Sequence, residues 1–550
     1  MNRVVKNMKI QKIKYIVFVL IFVLMLYTGA IAEIKDIYVV NTTNPTIANI
    51  AKVVNQNYKK NTVYLPGAWN TEQLMLNIPD SQLEPIELRY GEKEQTLLQG
   101  EYTNCFSFPN VVIESETIPK TNLWVFKGSK IPAIFINKQE NTMIMFSADG
   151  DIVYCGELKQ MKIRGNNTAT YPKIPYQIKL EEKTALIGEV KQKTWVLLAD
   201  YIDLSLLRNR VTLDIARAIN IPFAVQCQSV DLYIDGYYKG VYLLTDKVQI
   251  NEGRVDIADV EDELSFINDG LLSDYKTAMQ NFEDNSGFQY AKGLLPSKDI
   301  TGGYLFEIDK ERRILNDGFS YVRTKEGMLM LVDSPKISSK EQMKYVYELI
   351  TAFDRAIHQP DGIDPITQKA YWEMADMESF ALKFLLEEFT MNYDATAGSQ
   401  YFHKNSAKID DLLYAGPAWD YDLTYQNCLP TNPTEPYLTQ SDNRYCWYTT
   451  LYREQPEFRK LVWELYQTVF RKEVVALCGL EETKDAITQP FKSYISEIEM
   501  SAKMNFSVWP LDKIEGYRPA SGDNFELSTT RMLNYIKKRI IALDELLKVE

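Results

Sequence analysis

Three carboxylates fall at two loop ends in the second half of the chain. The run reads Asn392-Tyr393-Asp394, then Ser399-Gln400-Tyr401-Phe402-His403-Lys404, then Gly416-Pro417-Ala418-Trp419-Asp420-Tyr421-Asp422. Asp394 follows a helical pattern that reads as strongly amphipathic. Tyr401-Phe402 and Leu412-Leu413-Tyr414 read as two strands joined by the polar turn Asn405 to Asp411. The second strand delivers Asp420 and Asp422 at its far end, so all three acids are expected on the same side of the hairpin. Carboxylate oxygens gathered this way suit Mg²⁺ together with a phosphoanion. Blander readings stay open, since an Asp after a helix is ordinarily a turn former. Asp-x-Asp in a loop can likewise be structural or a calcium ligand pair.

A phosphate handler also needs cations. Met161-Lys162-Ile163-Arg164-Gly165-Asn166-Asn167-Thr168 supplies a turn with free backbone N–H groups, and Lys173 follows it. Tyr176-Gln177-Ile178-Lys179-Leu180 then reads as a strand carrying Lys179, which fits a solvated face equally well. The run matches neither common Gly-rich phosphate loop. His358 and His403 are the two histidines, too few for a His-rich metal cluster or an obvious Ser-His-Asp triad. Six cysteines (Cys105, Cys155, Cys227, Cys428, Cys446, Cys478) lack Cys-x-x-Cys spacing, which argues against a zinc site or a disulfide-dense scaffold. Cys428 and Cys446 alone lie close enough in sequence for a local bridge. The chemistry must therefore run on carboxylates and lysines.

The elements that must hold these residues are legible in outline. Residues 33–127 carry short alternating segments such as Thr62 to Leu65, Leu74 to Ile78 and Pro85 to Tyr90, the texture of a small all-β module. A second domain is expected over 128–435. It begins with strands at Ile131 to Ile136, Met143 to Phe146 and Ile152 to Tyr154. Asp203 then caps a helix with Leu207, Val211, Ile215 and Ile219 at four-residue spacing. A hairpin follows about Asp235-Gly236. Residues 259–300 lose periodicity and read as an insertion or mobile loop. Met343, Val346, Ile350, Phe353 and Ile357 form one helical stripe, and Phe380, Ala381, Phe384, Leu385 and Glu388 lie along a second, which Asp376 caps. Residues 436–550 read as a helical subdomain. The class is α+β.

The amino terminus has Arg3, Lys6, Lys9, Lys12 and Lys14 before an apolar run from Tyr15 to Leu26 and an Ala30-Ile31-Ala32 end. This reads as a secretory signal over residues 1–32, cut after Ala32. The run falls short of the roughly 20 apolar residues of a membrane span, although an uncleaved anchor is the alternative. Cleavage would remove five positive charges and take the net charge from −13 to −18. So acidic a body disfavours nucleic acid and anionic membranes as partners. A secreted or envelope-associated protein, with no stable membrane insertion after cleavage, is expected.

Helix, acid, hairpin, acid is also the order of a protein kinase's catalytic half. Taken together, the residues resemble the CotH kinase family, the spore-coat-protein-H-like atypical kinases. The resemblance is carried by Ile163-Arg164-Gly165-Asn166, Pro175 to Leu180, Trp195 to Ala199, Arg208-Asn209, Val230 to Tyr233, Gly240 to Leu244 and Gly303 to Glu307. It continues through Glu387-Glu388, Asn392-Tyr393-Asp394, Ser399 to Phe402, Ala415 to Pro417 and Trp419 to Asp422, covering roughly residues 128–430. It implies a divergent protein-kinase-like catalytic domain, ATP with Mg²⁺ or Mn²⁺, and transfer of the γ-phosphate to Ser or Thr of a protein. Carried over by position, Asp394 matches the catalytic Asp and Asp420 the metal-binding Asp, while Asp422 is either a ligand of a second metal ion or a residue standing behind the first ion's ligands. Arg164 and Lys179 would contact phosphate, with Asn166 shaping the turn between them.

Two positions depart from the family pattern. Gln400 stands where founding members have an Asn, so as a metal ligand it must reach differently. Asp246 replaces a longer carboxylate in a possible ion-pairing position. The competing reading is a catalytically inactive surface or structural binding protein on the same fold, and a further one is another metal-assisted reaction such as nucleotidyl transfer or hydrolysis.

Overall fold

In this computed structural model the described residues are 38–41, 50–52, 61–69, 74–77, 86–90, 93–97, 121–272, 282–309, 320–396, 398–427, 431–441, 446–479, 483–510 and 524–549. The signal sequence expected over 1–32, Cys105 and Cys428 lie outside them. Cys446 is buried with a free thiol. The chain divides into one unit of residues 1–155 and 231–240 and another of residues 156–230 and 241–550. Taken together the described residues form a mixed α+β structure; the elements described in the first unit are strands, and the helices lie in the second.

In the first unit, Asn61–Leu65 pairs in parallel with Thr121–Lys127, which pairs in parallel with Ile86–Tyr90; Lys93–Leu97 closes that sheet antiparallel. Tyr38–Asn41 lies between Ile50–Lys52 and Leu74–Asn77 in a second sheet. Ala133–Asn137 pairs with Thr142–Phe146 and, in parallel, with residues 231–234. The hairpin turn at Asp235 and Gly236 has positive φ at both positions, 52° and 84°. That is the backbone a two-residue turn of this twist demands, and Asp-Gly is its favoured sequence. Burial is extensive: Trp69 stacks on Phe135 and Phe135 on Tyr233, with centroids 5.5 and 4.4 Å apart.

The second unit holds the acids. Residues 158–163 pair antiparallel with Tyr176–Thr184, which pairs with Gln192–Leu198, itself paired with residues 243–246. The Arg208–Ala218 helix follows. Asp203 caps it from outside, accepting from the backbone N–H of Leu207 at 3.1 Å and of Arg208 at 2.9 Å. A seven-stranded sheet comes next, in the order Phe282–Asp284, Phe288–Ala291, Tyr321–Arg323, Leu329–Ser334, Tyr304–Ile308, Gln400–Lys404, Leu413–Ala415. Its last two strands are the hairpin expected between Asp394 and Asp420, in register at Phe402 with Ala415 and His403 with Tyr414.

Two expectations are corrected here. Within 259–300, read as an insertion or mobile loop, the structure has the Glu261–Ile267 helix, an edge strand of the large sheet and the strand next to it. These strands are three and four residues long, with the Ser286-Gly287 turn between them, too short to mark a period. The Met377–Thr390 helix is also not amphipathic. Every residue from Ser379 to Thr390 is buried, including Lys383, Glu387 and Glu388. Charged residues on a helix normally mark a solvated face; here packing on all sides leaves them inside, so they must be paired.

The other helices follow their patterns. Ser339 and Gln342 form a reciprocal capping box at the start of Lys340–Ile357, whose five-residue apolar stripe is fully buried. Asp376 Oδ1 accepts from Ser379 N at 2.7 Å. Beyond Tyr437 the long elements are helices: Trp447–Glu454, Pro456–Leu465, Arg471–Cys478, Phe491–Val508 and Phe525–Leu546. Among the described residues no helix is long and apolar enough to cross a membrane.

Candidate functional site

Asp394, Asp420 and Asp422 line one cavity of about 870 Å³ in the second unit, a volume typical of a small-molecule site. Arg164, Asn166 and Lys173 line it too, as do Asp200, Glu307 and Asp309. Asp394 sits in the one-turn Tyr393–Thr396 helix just after the Met377–Thr390 helix ends at Met391, whose φ is 46°. Its backbone N–H donates to Asn392 Oδ1 at 3.1 Å and its carbonyl accepts from Gly398 N at 2.9 Å. A Cβ built on Gly398 would meet Asp309 Oδ1 at 3.7 Å and Asp394 Oδ1 at 3.8 Å, so these two carboxylates flank the glycine.

Asp420 has φ 68°, a left-handed conformation that a non-glycine residue holds only when its surroundings fix it. Ser399 Oγ donates to its Oδ2 at 3.0 Å. Asp422 lies amid the other acids. Burial, then Asp420, Asp200, Asp394 and Asp203, push its carboxyl well above the usual range. A cation bound beside Asp422 would offset that repulsion.

Asp200 was not legible as a site residue. It follows the strand Gln192–Leu198, and Asn209 ties it to the Asp420–Asp422 loop. Asn209 Nδ2 donates to Asp200 Oδ1 at 2.8 Å, while its Oδ1 accepts from Tyr421 N at 2.7 Å. Burial, with Asp203 and Asp420 nearby, raises the Asp200 carboxyl to about 7. The folded chain therefore binds this proton more tightly than the unfolded chain does. Stability from this group is present at low pH and is lost as pH rises from about 4 through about 7. Asp200→Asn should then stabilise the metal-free protein at pH 8 by about 4 kcal/mol and give little at pH 4. Thermal unfolding in EDTA at both pH values measures this, and an equal gain at the two would refute it.

The cations are Arg164 and Lys173. Arg164 closes the strand 158–163, its guanidinium 5.5 Å from the Trp419 ring. Gly165 behind it has φ 89°, and a Cβ there would fall 2.1 Å from Thr168 Oγ1, so this tight turn requires glycine. Asn166 is exposed at its tip. Lys173 is buried, lies 4.8 Å from the Tyr242 ring and donates to Val241 O.

The remaining anticipated residues lie elsewhere. Lys179 is on the Tyr176–Thr184 strand, paired opposite Thr194, and does not line the cavity. Ile178 and Leu180 take the buried face of that strand. The cavity's lysine is instead Lys173, in the irregular segment before the strand, where no periodicity marks it. Gln400, expected among the metal ligands, is fully buried and also outside the cavity, its Oε1 accepting from Lys383 Nζ at 2.7 Å. That engagement aims it into the core. Asp246 pairs with Arg254 at 3.2 Å, also away from the cavity lining.

Among the described residues no group of three or more His, Cys, Asp or Glu is already arranged to hold a metal ion. The donors that line the cavity are carboxylates, the oxygen ligands of Mg²⁺ or Mn²⁺. Mg²⁺ is commonly held by one or two carboxylates plus substrate phosphates rather than by a complete protein cage. Asp420 and Asp422, two residues apart in one loop, fit that mode.

Residues 161–543 match the family described as CotH kinase protein. No curated protein matches the chain. The matched stretch is well over half of the 550 residues and contains every cavity-lining residue named above, so the chain belongs to the CotH kinase family.

Proposed function

We propose that this protein is an atypical protein kinase of divergent protein-kinase-like fold, transferring the γ-phosphate of ATP to Ser or Thr hydroxyls of a protein. The observation that carries this is one cavity in which Asp394, Asp420 and Asp422 stand with Arg164 and Lys173. Asp420 and Asp422 would hold Mg²⁺ or Mn²⁺. A divalent ion bound there neutralises phosphate oxygens and favours charge shift toward the leaving group. Arg164 and Lys173 take further phosphate oxygens. Asp394 orients the acceptor hydroxyl and accepts its proton as the new O–P bond forms and the bond to the β-phosphate oxygen breaks, releasing ADP. With the leader read in residues 1–32, the acceptor is an extracellular or envelope protein.

The test incubates the purified full-length protein with Mg²⁺ or Mn²⁺, generic acceptors and a secreted-protein extract, using ATP labelled on either the γ- or the α-phosphate. Transfer of γ label is expected, abolished by EDTA and lowered about 10²-fold or more in Asp420→Ala, which removes a metal ligand. Transfer of α label would mean nucleotidyl transfer. No transfer of either label and no nucleotide binding with both metals would leave the binding-protein reading in its place.

A further inference from the structure

Glu387, in the buried Ser379 to Thr390 stretch of the Met377–Thr390 helix, does not line the cavity, yet its carboxylate reaches both acid-bearing loops. Its Oε2 accepts from Asn392 Nδ2 at 2.9 Å, and Asn392 Oδ1 in turn accepts from the Asp394 N–H at 3.1 Å. Its Oε1 accepts from the Tyr421 hydroxyl at 2.8 Å, and Tyr421 is the residue between Asp420 and Asp422. Lys383, one turn earlier, pairs with the same oxygen and also donates to Tyr421 OH at 3.1 Å. All four side chains are shut away from solvent.

We infer that Glu387, paired with Lys383, is a positioning residue that sets Asp394 and the Asp420–Asp422 pair at a common distance by holding one loop on each carboxylate oxygen. Two features of the packing favour this over a purely structural role. Buried ion pairs contribute little stability compared with apolar side chains of similar size, because desolvation offsets their attraction. What this pair does supply is direction, since each carboxylate oxygen is committed to a different loop. Asp420 also needs restraint on its positive φ, and Tyr421 beside it is fixed at both ends, by Glu387 at the hydroxyl and by Asn209 at the backbone N–H. An error of about 1 Å between reacting groups costs roughly 10²-fold in rate.

The inference rests on the kinase reading for the reaction it positions, but not for the geometry. Tyr421→Phe removes one hydroxyl and keeps the ring in place; Glu387→Gln keeps the shape and removes the charge. For both, kcat for γ-phosphate transfer should fall by on the order of 10²-fold while KM for ATP stays within about threefold. The double variant should fall little further, because both changes cut the same tie. Hydrogen exchange is read in parallel on the backbone amides of 392–396 and 420–422. Loss of protection there in Tyr421→Phe, with the melting temperature unchanged, is expected. Wild-type kcat together with wild-type protection in Tyr421→Phe overturns the inference, whatever becomes of Glu387→Gln. If the wild type moves no label, the kinase reading fails, and exchange alone decides the positioning role: lost protection upholds it and unchanged protection overturns it.

Discussion

Asp394→Ala is expected to lower the rate of γ-phosphate transfer by about 10³-fold, within the range that a positioned general base contributes. The loss should fall on kcat rather than on nucleotide affinity, because in the proposed reaction Asp394 would address the acceptor hydroxyl, and Arg164, Lys173 and a divalent ion the phosphates. Nor should the variant unfold. The backbone contacts that shape the Asp394 turn, to Asn392 Oδ1 and from Gly398 N, do not use its side chain. Asp394 is also one of the charges that push the Asp422 carboxyl up, so its removal relieves repulsion in the cavity. Single-turnover kinetics beside a melting curve measure both effects. Transfer within tenfold of the wild type would remove Asp394 from the role of base.

Arg539→Met should destabilise the second unit by about 3–5 kcal/mol, the range for stranding one member of a buried ion pair. Arg539 lies on the Phe525–Leu546 helix and is fully buried. Its guanidinium donates to Glu388 Oε1 at 2.6 Å, to the Glu388 carbonyl at 2.8 and 3.2 Å, and to the carbonyls of Pro433 and Glu435 at 3.1 and 2.6 Å. Glu388 also accepts from the backbone N–H groups of Tyr437, Leu438 and Thr439. One ion pair therefore ties the carboxy-terminal helix, the 433–439 segment and the helix that leads to Asp394. Methionine fills part of the volume but leaves the Glu388 charge without its cation. Adding Glu388→Gln should recover part of the loss, because the stranded charge is then gone. Urea unfolding of the two variants and the wild type measures this, and a cost below about 1 kcal/mol for Arg539→Met would show that the pair is dispensable.

The acids of the cavity were legible to different degrees for a physical reason. Asp394, Asp420 and Asp422 flank a short hairpin, so local order along the chain already placed them near one another. The Arg164-Gly165-Asn166 turn was visible because a tight turn leaves a residue signature. Asp200 left none, and Lys173, although it follows that turn in the run of cations, had nothing to set it above Lys179: Asp200 and Lys173 each sit in irregular chain beside a strand and reach the cavity through the path of the backbone in space. The alternation around Lys179 marked a strand face, which said that it points away from Ile178 but not toward what.

Sequence alone determined the family, the mixed α+β class, the hairpin between the acids, the capped helices and the three carboxylates, because these depend on local periodicity, turn chemistry and short spacings. Tertiary structure decided which cation faces those carboxylates, that Gln400 turns inward, and that Lys383, Glu387 and Glu388 lie in the core rather than on a solvated face. Charge pairs between residues distant in the chain carry no period. A charged side chain looks the same in sequence whether water or a buried partner satisfies it, and only packing distinguishes the two.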